Sequence, residues 1–203
     1  MCCHFFSKTQ QYSKHYLYFK SMKRQFLLLT FFIFFWGNVN AQVITAIATN
    51  WSDDFRDWTI YTDEEDVEGS LTMRWQQQMD WTEWDYRLGE ESGTIKLKWK
   101  NDPSQWEIRG GGKIITARMV WNNDVHEWRI SDGTTRLTLK ALYNNNLNDW
   151  EIKESKENGA FELYMEWQND PREWTIVDQL NDDISIHFKI AIAFVAFFQT
   201  IPK

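Results

Sequence analysis

Six copies of one short phrase constrain this chain more than any other feature. In the clearest run the phrase reads WKNDPSQWEI (99–108), WNNDVHEWRI (121–130), YNNNLNDWEI (143–152) and WQNDPREWTI (167–176). Each copy has a leading aromatic residue, six mostly polar residues, a Trp, one spacer and Ile. The leading aromatics are Trp51, Trp75, Trp99, Trp121, Tyr143 and Trp167, and the second aromatics are Trp58, Trp84, Trp106, Trp128, Trp150 and Trp174. A fixed period of a few tens of residues is the mark of a repeat architecture, in which one supersecondary unit is used again and again. The second unit departs from the rule. Its link, Trp75 to Trp84, is longer, it carries Trp81, and Tyr86 stands where the others have Ile.

Each leading aromatic ends a run of period two. Ile95, Leu97 and Trp99 alternate with Lys96 and Lys98, and Phe161, Leu163, Met165 and Trp167 with Glu162, Tyr164 and Glu166. That period belongs to a strand with one apolar and one wet face, whereas a helix needs apolar residues three and four apart. The links carry turn chemistry: Asn and Asp fold back on local backbone, and Pro presets one dihedral. With Asn101 to Ser104 as the turn, Trp99 faces Trp106, Leu97 faces Ile108 and Lys98 faces Glu107. The same register sets Met119 opposite Ile130, Ala141 opposite Ile152, Met165 opposite Ile176 and Arg74 opposite Asp85. A second set of turns, such as Gly110-Gly111-Gly112 and Ser131-Asp132-Gly133-Thr134, joins unit to unit and supplies the positive φ that tight hairpins need.

The expected fold class is therefore all-β: an up-and-down antiparallel meander of about 12–13 strands built from six W-x6-W-x-I hairpins. A sheet with one Trp-rich face must bury it. A closed or flattened barrel does so and removes both edges; an open single-layer repeat sheet with an aromatic groove is the alternative. The run ISIHFKIAIAFVAFFQTIPK from Ile184 alternates at Ile184, Ile186, Phe188, Ile190 and Ile192. It reads as a thirteenth strand, pairing back to Val43–Trp51 or capping one end of the sheet. An outer-membrane barrel fits less well: Trp106-Glu107-Ile108 covers about 10 Å at about 3.3 Å per residue, against a lipid-facing band of about 25 Å.

The N-terminal part reads differently. Met22–Ala41 has Lys23 and Arg24, an apolar run from Phe26 to Trp36, and Val39-Asn40-Ala41 before Gln42. This is the layout of a secretory signal peptide, and its apolar run is too short for the roughly 20 residues of a membrane span. Residues 1–21 then read as an upstream, disordered extension, and residues 42–203 as a single all-β domain. Export to the periplasm, cell surface or exterior is expected, with cleavage near Ala41.

Beyond Ala41 the chain has no Cys, since the two cysteines are Cys2 and Cys3. Disulfides, zinc–thiolate sites and a cysteine nucleophile are excluded there. Residues 1–41 hold five basic and no acidic residues, leaving 22 − 5 = 17 basic against 29 acidic, a net charge of −12. Such a chain lacks the basic footprint of a nucleic-acid binder, and anionic membranes repel it. The nucleophile-elbow, phosphate-loop and H-E-x-x-H patterns do not occur. The acidic tips (Asp53, Asp54 and Asp57; Asn123, Asp124 and Glu127; Asn169, Asp170 and Glu173) could offer oxygens to Ca²⁺, but turn formation already accounts for them. No cofactor and no metal are expected, and His126 and His187 read as surface or edge histidines.

In period the chain is similar to the MORN and choline-binding hairpin repeats, without their glycine and tyrosine signatures, and no function carries over from them. The expected role is a non-enzymatic binding or structural protein of the cell envelope or exterior. A carrier holding a glycan or lipid on a Trp-lined groove or in a barrel interior is the alternative. Trp81, with Trp75 and Trp84 around it, is the candidate ligand site, and a glycan or other envelope component the candidate partner.

Overall fold

The structure is a computed structural model that describes residues 42–202 apart from Glu65. The expected upstream extension at 1–21 and the expected signal peptide at 22–41 lie outside the described residues.

Among the described residues the chain forms twelve strands: β1 (Ile44–Trp51), β2 (Asp54–Thr62), β3 (Glu68–Trp75), β4 (Asp80–Leu88), β5 (Glu91–Trp99), β6 (Asp102–Gly110), β7 (Lys113–Met119), β8 (Glu127–Ser131), β9 (Arg136–Ala141), β10 (Asp149–Ser155), β11 (Gly159–Trp167) and β12 (Asp170–Leu180). Every strand pairs antiparallel with its neighbours in sequence, and β1 pairs with β12, so the meander closes into a barrel. At the seam Ala46, Ile47 and Ala48 meet Thr175, Trp174 and Glu173.

The closing element is not the expected thirteenth strand. Ile186–Phe198 is an α-helix, α1, and it fills the barrel: every residue from His187 to Phe198 is buried. The physical reason is backbone satisfaction. Once β1 and β12 pair, no sheet edge is left, and an unpaired strand inside an apolar lumen would strand its N–H and C=O groups. A helix satisfies its own backbone, and a helix that is apolar all round is a buried one. Thirteen residues at about 1.5 Å each give about 20 Å, a length that suits a barrel whose strands run from five to eleven residues.

Inside, the six second Trps form one ring, each at most 1% exposed. Two residues further along, Ile60, Tyr86, Ile108, Ile130, Ile152 and Ile176 form the next ring, all buried. The C-terminal half of α1 packs on the Trp ring: Phe197 lies 4.5 Å from Trp58, and Phe194 lies 5.0 Å and Phe198 4.7 Å from Trp106, centroid to centroid. The T-shaped geometry of the last two is one that aromatic quadrupoles favour. One interior void, of about 10 Å³ between β1, β2, β3 and α1, is lined by Ile44, Ile47, Ile60, Leu71, Ile190, Ala193 and Phe197. That is at or below the room one water needs.

The hairpin register also differs from the expected one, by two residues. Leu97 faces Trp106, Ile95 faces Ile108 and Lys96 faces Glu107, while Trp99 faces Asp102. Likewise Met119 and Met165 face Trp128 and Trp174, and Ala141 faces Trp150. Arg74 still pairs with Asp85, reaching it diagonally, because Thr72 is the direct partner. The turn is shorter than expected and sits earlier in the phrase. In the third unit it is Lys100-Asn101, with Asn101 at φ 68°. Asn123 and Asn169 take φ 61° in their units, a left-handed conformation that Asn tolerates better than most residues.

Candidate functional site

The register places the two aromatics of each phrase in opposite surroundings. In four hairpins the ladder slips just before the leading aromatic, as between Leu97 and Trp99 or Met165 and Trp167. The slip brings that residue to the lip of the barrel, out of the core. Trp51, Trp75, Trp99, Trp121, Tyr143 and Trp167 are 45–64% exposed. Four end odd-numbered strands, and Trp121 and Tyr143 come two residues after the ends of β7 and β9, so all six crown the same end of the barrel. Lying on alternate strands, they stand roughly 10 Å apart, two strand spacings of about 4.8 Å. Polar groups on the outer wall steady some of them. Trp75 Nε1 donates to Glu83 at 3.3 Å, Trp121 Nε1 donates to Glu127 at 3.2 Å, and Lys98 Nζ lies 5.8 Å from the Trp99 ring centre. Even so, all six keep close to half or more of their surface in solvent.

Below the crown, each unit repeats one local device. An Asp or Asn side chain at the start of the second strand, or three residues before it in the fourth and fifth units, accepts the backbone N–H two residues on: Asp54 from Arg56, Asp80 from Thr82, Asp102 from Ser104, Asp124 from His126, Asn146 from Asn148 and Asp170 from Arg172. These bonds give Asp54, Asp124 and Asp170 of the acidic tips a turn-forming role. The carboxylates titrate below their usual range, held down chiefly by the Arg56 side chain at Asp54, the Thr82 side chain at Asp80, the Ser104 side chain at Asp102, the His126 N–H at Asp124 and the Arg172 side chain at Asp170. Among the described residues no three His, Asp or Glu side chains come together as a metal site.

The inner Trp of each unit completes the device. Trp58, Trp84, Trp128, Trp150 and Trp174 donate Nε1–H to the carbonyl three residues earlier, at 2.7–3.1 Å. Trp106 is the exception, its Nε1 buried without a partner. The carbonyls belong to Phe55, Trp81, Val125, Leu147 and Pro171, and Pro103 holds that place in the third unit. Trp81 therefore occupies the apolar position of the repeat. It packs half-buried against the core, with its ring 5.9 Å from Trp84. The three expected site residues are thus divided: Trp84 is core at 0% exposure, Trp81 is partly buried beside it, and Trp75 belongs to the exposed crown. A comparison of the six units position by position carries the signal for Trp81, because an apolar residue precedes the inner Trp by three in every one.

At the opposite end, two polar contacts fasten the start of α1. His187 Nδ1 lies 2.9 Å from Tyr86 Oη, and Nε2 lies 3.1 Å from Glu91. A neutral imidazole protonated on Nε2 fits both, accepting from Tyr86 and donating to Glu91. Burial pushes the His187 pKa down and the Tyr86 pKa up. Glycines make the room: a Cβ on Gly93 or Gly110 would overlap the Tyr86 hydroxyl, and one on Gly111 would sit 2.6 Å from His187 Nε2. Lys189, 1% exposed, pairs with fully buried Asp178 at 2.8 Å and donates to the Gln42 carbonyl at 3.1 Å. Asp178 also accepts from the N–H groups of Ile44 and Leu180. His187 is therefore a buried residue of the helix, in place of the edge histidine expected from the alternation.

The outer wall is charged. Lys96 pairs with Glu83 at 2.5 Å, Lys140 with Glu127 at 3.1 Å and Arg109 with Glu107 at 2.5 Å. A membrane barrel turns an apolar band outward instead. No helix among the described residues is long and apolar enough to cross a membrane. Comparisons with protein-family models, curated proteins and solved structures find no match for this chain.

Proposed function

We propose that the protein is an exported, non-enzymatic binding module of the cell envelope or exterior, and that the aromatic crown is its contact surface for glycans. The observation that carries this reading is the exposure of all six leading aromatics. The inner Trps and α1 already form the core, so folding has no use for a second aromatic ring in water. Leaving large apolar side chains wet forgoes about 25 cal/mol per Å², and exposed apolar surface of this kind marks interaction sites.

The chemistry around the crown favours a sugar over a lipid. Between the aromatics stand Asp53, Asn101, Asn123 and Asn169, which suit hydroxyls. The C–H face of a pyranose stacks on an indole while its rim takes hydrogen bonds, the pairing of apolar wall and placed polar groups typical of ligand sites. Anionic lipid headgroups would meet like charge. The barrel interior does not serve as a carrier cavity, because α1 fills it.

The test is a binding assay with insoluble and soluble envelope glycans, run on the wild type and on Trp99→Ala/Trp121→Ala/Trp167→Ala. Glycan binding by the wild type, weakened at least about tenfold in the variant, is expected, with the unfolding midpoint little changed since exposed sites move stability by about 0.5 kcal/mol each. Equal binding by both proteins, or binding to neutral lipid vesicles in place of glycans, would overturn the reading. Hydrolysis of a glycan that a single carboxylate change abolishes would overturn its non-enzymatic part.

A further inference from the structure

We propose that a second site, on the outer wall across β6–β9, binds a tetrahedral oxyanion of the phosphate class, free or carried on a sugar. A groove of about 210 Å³ there is lined by Gln105, Thr116, Arg118, Arg129, Ser131 and Arg136. The antiparallel register brings these residues together: Gln105 faces Arg118, Arg118 faces Arg129, Thr116 faces Ser131 and Ser131 faces Arg136. Two guanidinium side chains are thus direct cross-strand neighbours and a third is diagonal to Arg129. Like charges set directly opposite on a sheet are destabilising.

The rest of the wall shows the opposite habit. Arg74, Lys96 and Lys140 each meet carboxylates across the strands. Among the described residues, no ion pair joins Arg118, Arg129 or Arg136 to a carboxylate. The acids Glu107 on β6, Glu127 on β8 and Asp132 in the β8–β9 turn are engaged elsewhere, Glu107 by Arg109, Glu127 by Lys140 and the Trp121 indole, and Asp132 by Lys113 and the N–H groups of its own turn. In a chain with a large excess of acid, three cations in one recess without an acid among them is a costly arrangement that a bound anion relieves. Guanidinium forks match the paired oxygens of phosphate, and three of them suit a dianion better than a single carboxylate. Thr116, Ser131 and Gln105 add neutral donors for the remaining oxygens. The site owes nothing to the aromatic crown and stands whether or not the crown binds glycans.

Thermal unfolding in inorganic phosphate, against sodium chloride of equal ionic strength, tests the proposal. A ligand that binds only the folded state raises the midpoint with concentration. The midpoint of the wild type is expected to rise in phosphate, while Arg129→Gln and Arg118→Gln/Arg136→Gln lose that rise and Lys153→Gln keeps it. In chloride alone, Arg129→Gln is expected to unfold at the same or a higher temperature than the wild type, because like-charge repulsion is relieved. A merely structural arginine would give a lower one. No phosphate-specific rise in the wild type, or a rise that persists in the arginine variants, would overturn the proposal. Repeating the titration with a hexose 6-phosphate separates the sources: at least about tenfold tighter binding than phosphate, about 1.4 kcal/mol, assigns the site to a phosphosugar, and equal binding to the free oxyanion.

Discussion

The inner Trps show how much of this fold rests on single atoms. Five of the six give their indole N–H to the carbonyl three residues back, and Trp106 does not. Removing one partner of a buried hydrogen bond costs about 1–3 kcal/mol, whereas removing a donor that has no partner loses no bond. Trp128→Phe should therefore destabilise more than Trp106→Phe, by about 1–3 kcal/mol in urea unfolding, although both remove a similar volume. Equal losses would mean that packing alone sets the cost. The facing of these residues was legible in the sequence, because strict alternation puts Leu97, Trp106 and Ile108 on one side. Their register was not. A slip of one residue turns every side chain over, but a slip of two keeps each on its face, so alternation permits both Trp99 opposite Trp106 and the observed Leu97 opposite Trp106. The difference rests on whether Asn101 takes a left-handed turn, and with it went the assignment of Trp99 and its equivalents to core or surface.

Among the elements, α1 is where sequence reading and structure part most clearly. Ile184, Ile186, Phe188, Ile190 and Ile192 alternate as a strand would, yet beyond Ala191 both faces are apolar and every second or third residue is Ala. That composition fits a lumen that is apolar on all sides. The polar residues of the helix, His187 and Lys189, sit in its first turn and reach the barrel wall at Glu91, Tyr86 and Asp178. The buried histidine makes this fastening sensitive to acid. Its pKa is lowered in the folded protein, so the unfolded chain binds the proton more readily. Stability is then full above the unfolded pKa of about 6.5 and is lost as pH falls from there toward the lower folded value. Unfolding midpoints measured from pH 7.5 to 5 should fall in the wild type and fall less in His187→Gln. Parallel curves would show that the imidazole does not carry the dependence. Tyr86, the unit's departure from Ile, is the wall's half of the same contact.

For the whole molecule, ring and plug depend on each other. The seven large apolar side chains that α1 buries, at about 1.5–3 kcal/mol each, are together comparable to the 5–15 kcal/mol net stability of an ordinary domain. A chain ending at Asp183 should accordingly show no cooperative thermal transition and should bind a dye for exposed apolar surface, with strand content partly kept by the local hairpins. A sharp transition in that variant would show that the ring stands without its plug. Closure into a barrel was legible from the repeat itself, since a one-sided Trp-rich sheet has to hide that side; the filler was not, because the repeat carries no information about a segment outside it. The same architecture fixes an order of events in time. Eleven of the twelve strand pairings join neighbours in sequence and form quickly, but the seam between β1 and β12 spans the domain, and α1 follows every strand in the chain. Until synthesis has delivered Phe198, the six indoles and their aliphatic neighbours lack the helix they pack against. The chain passes that interval as a half-made cup with a greasy inside, where aggregation competes with closure.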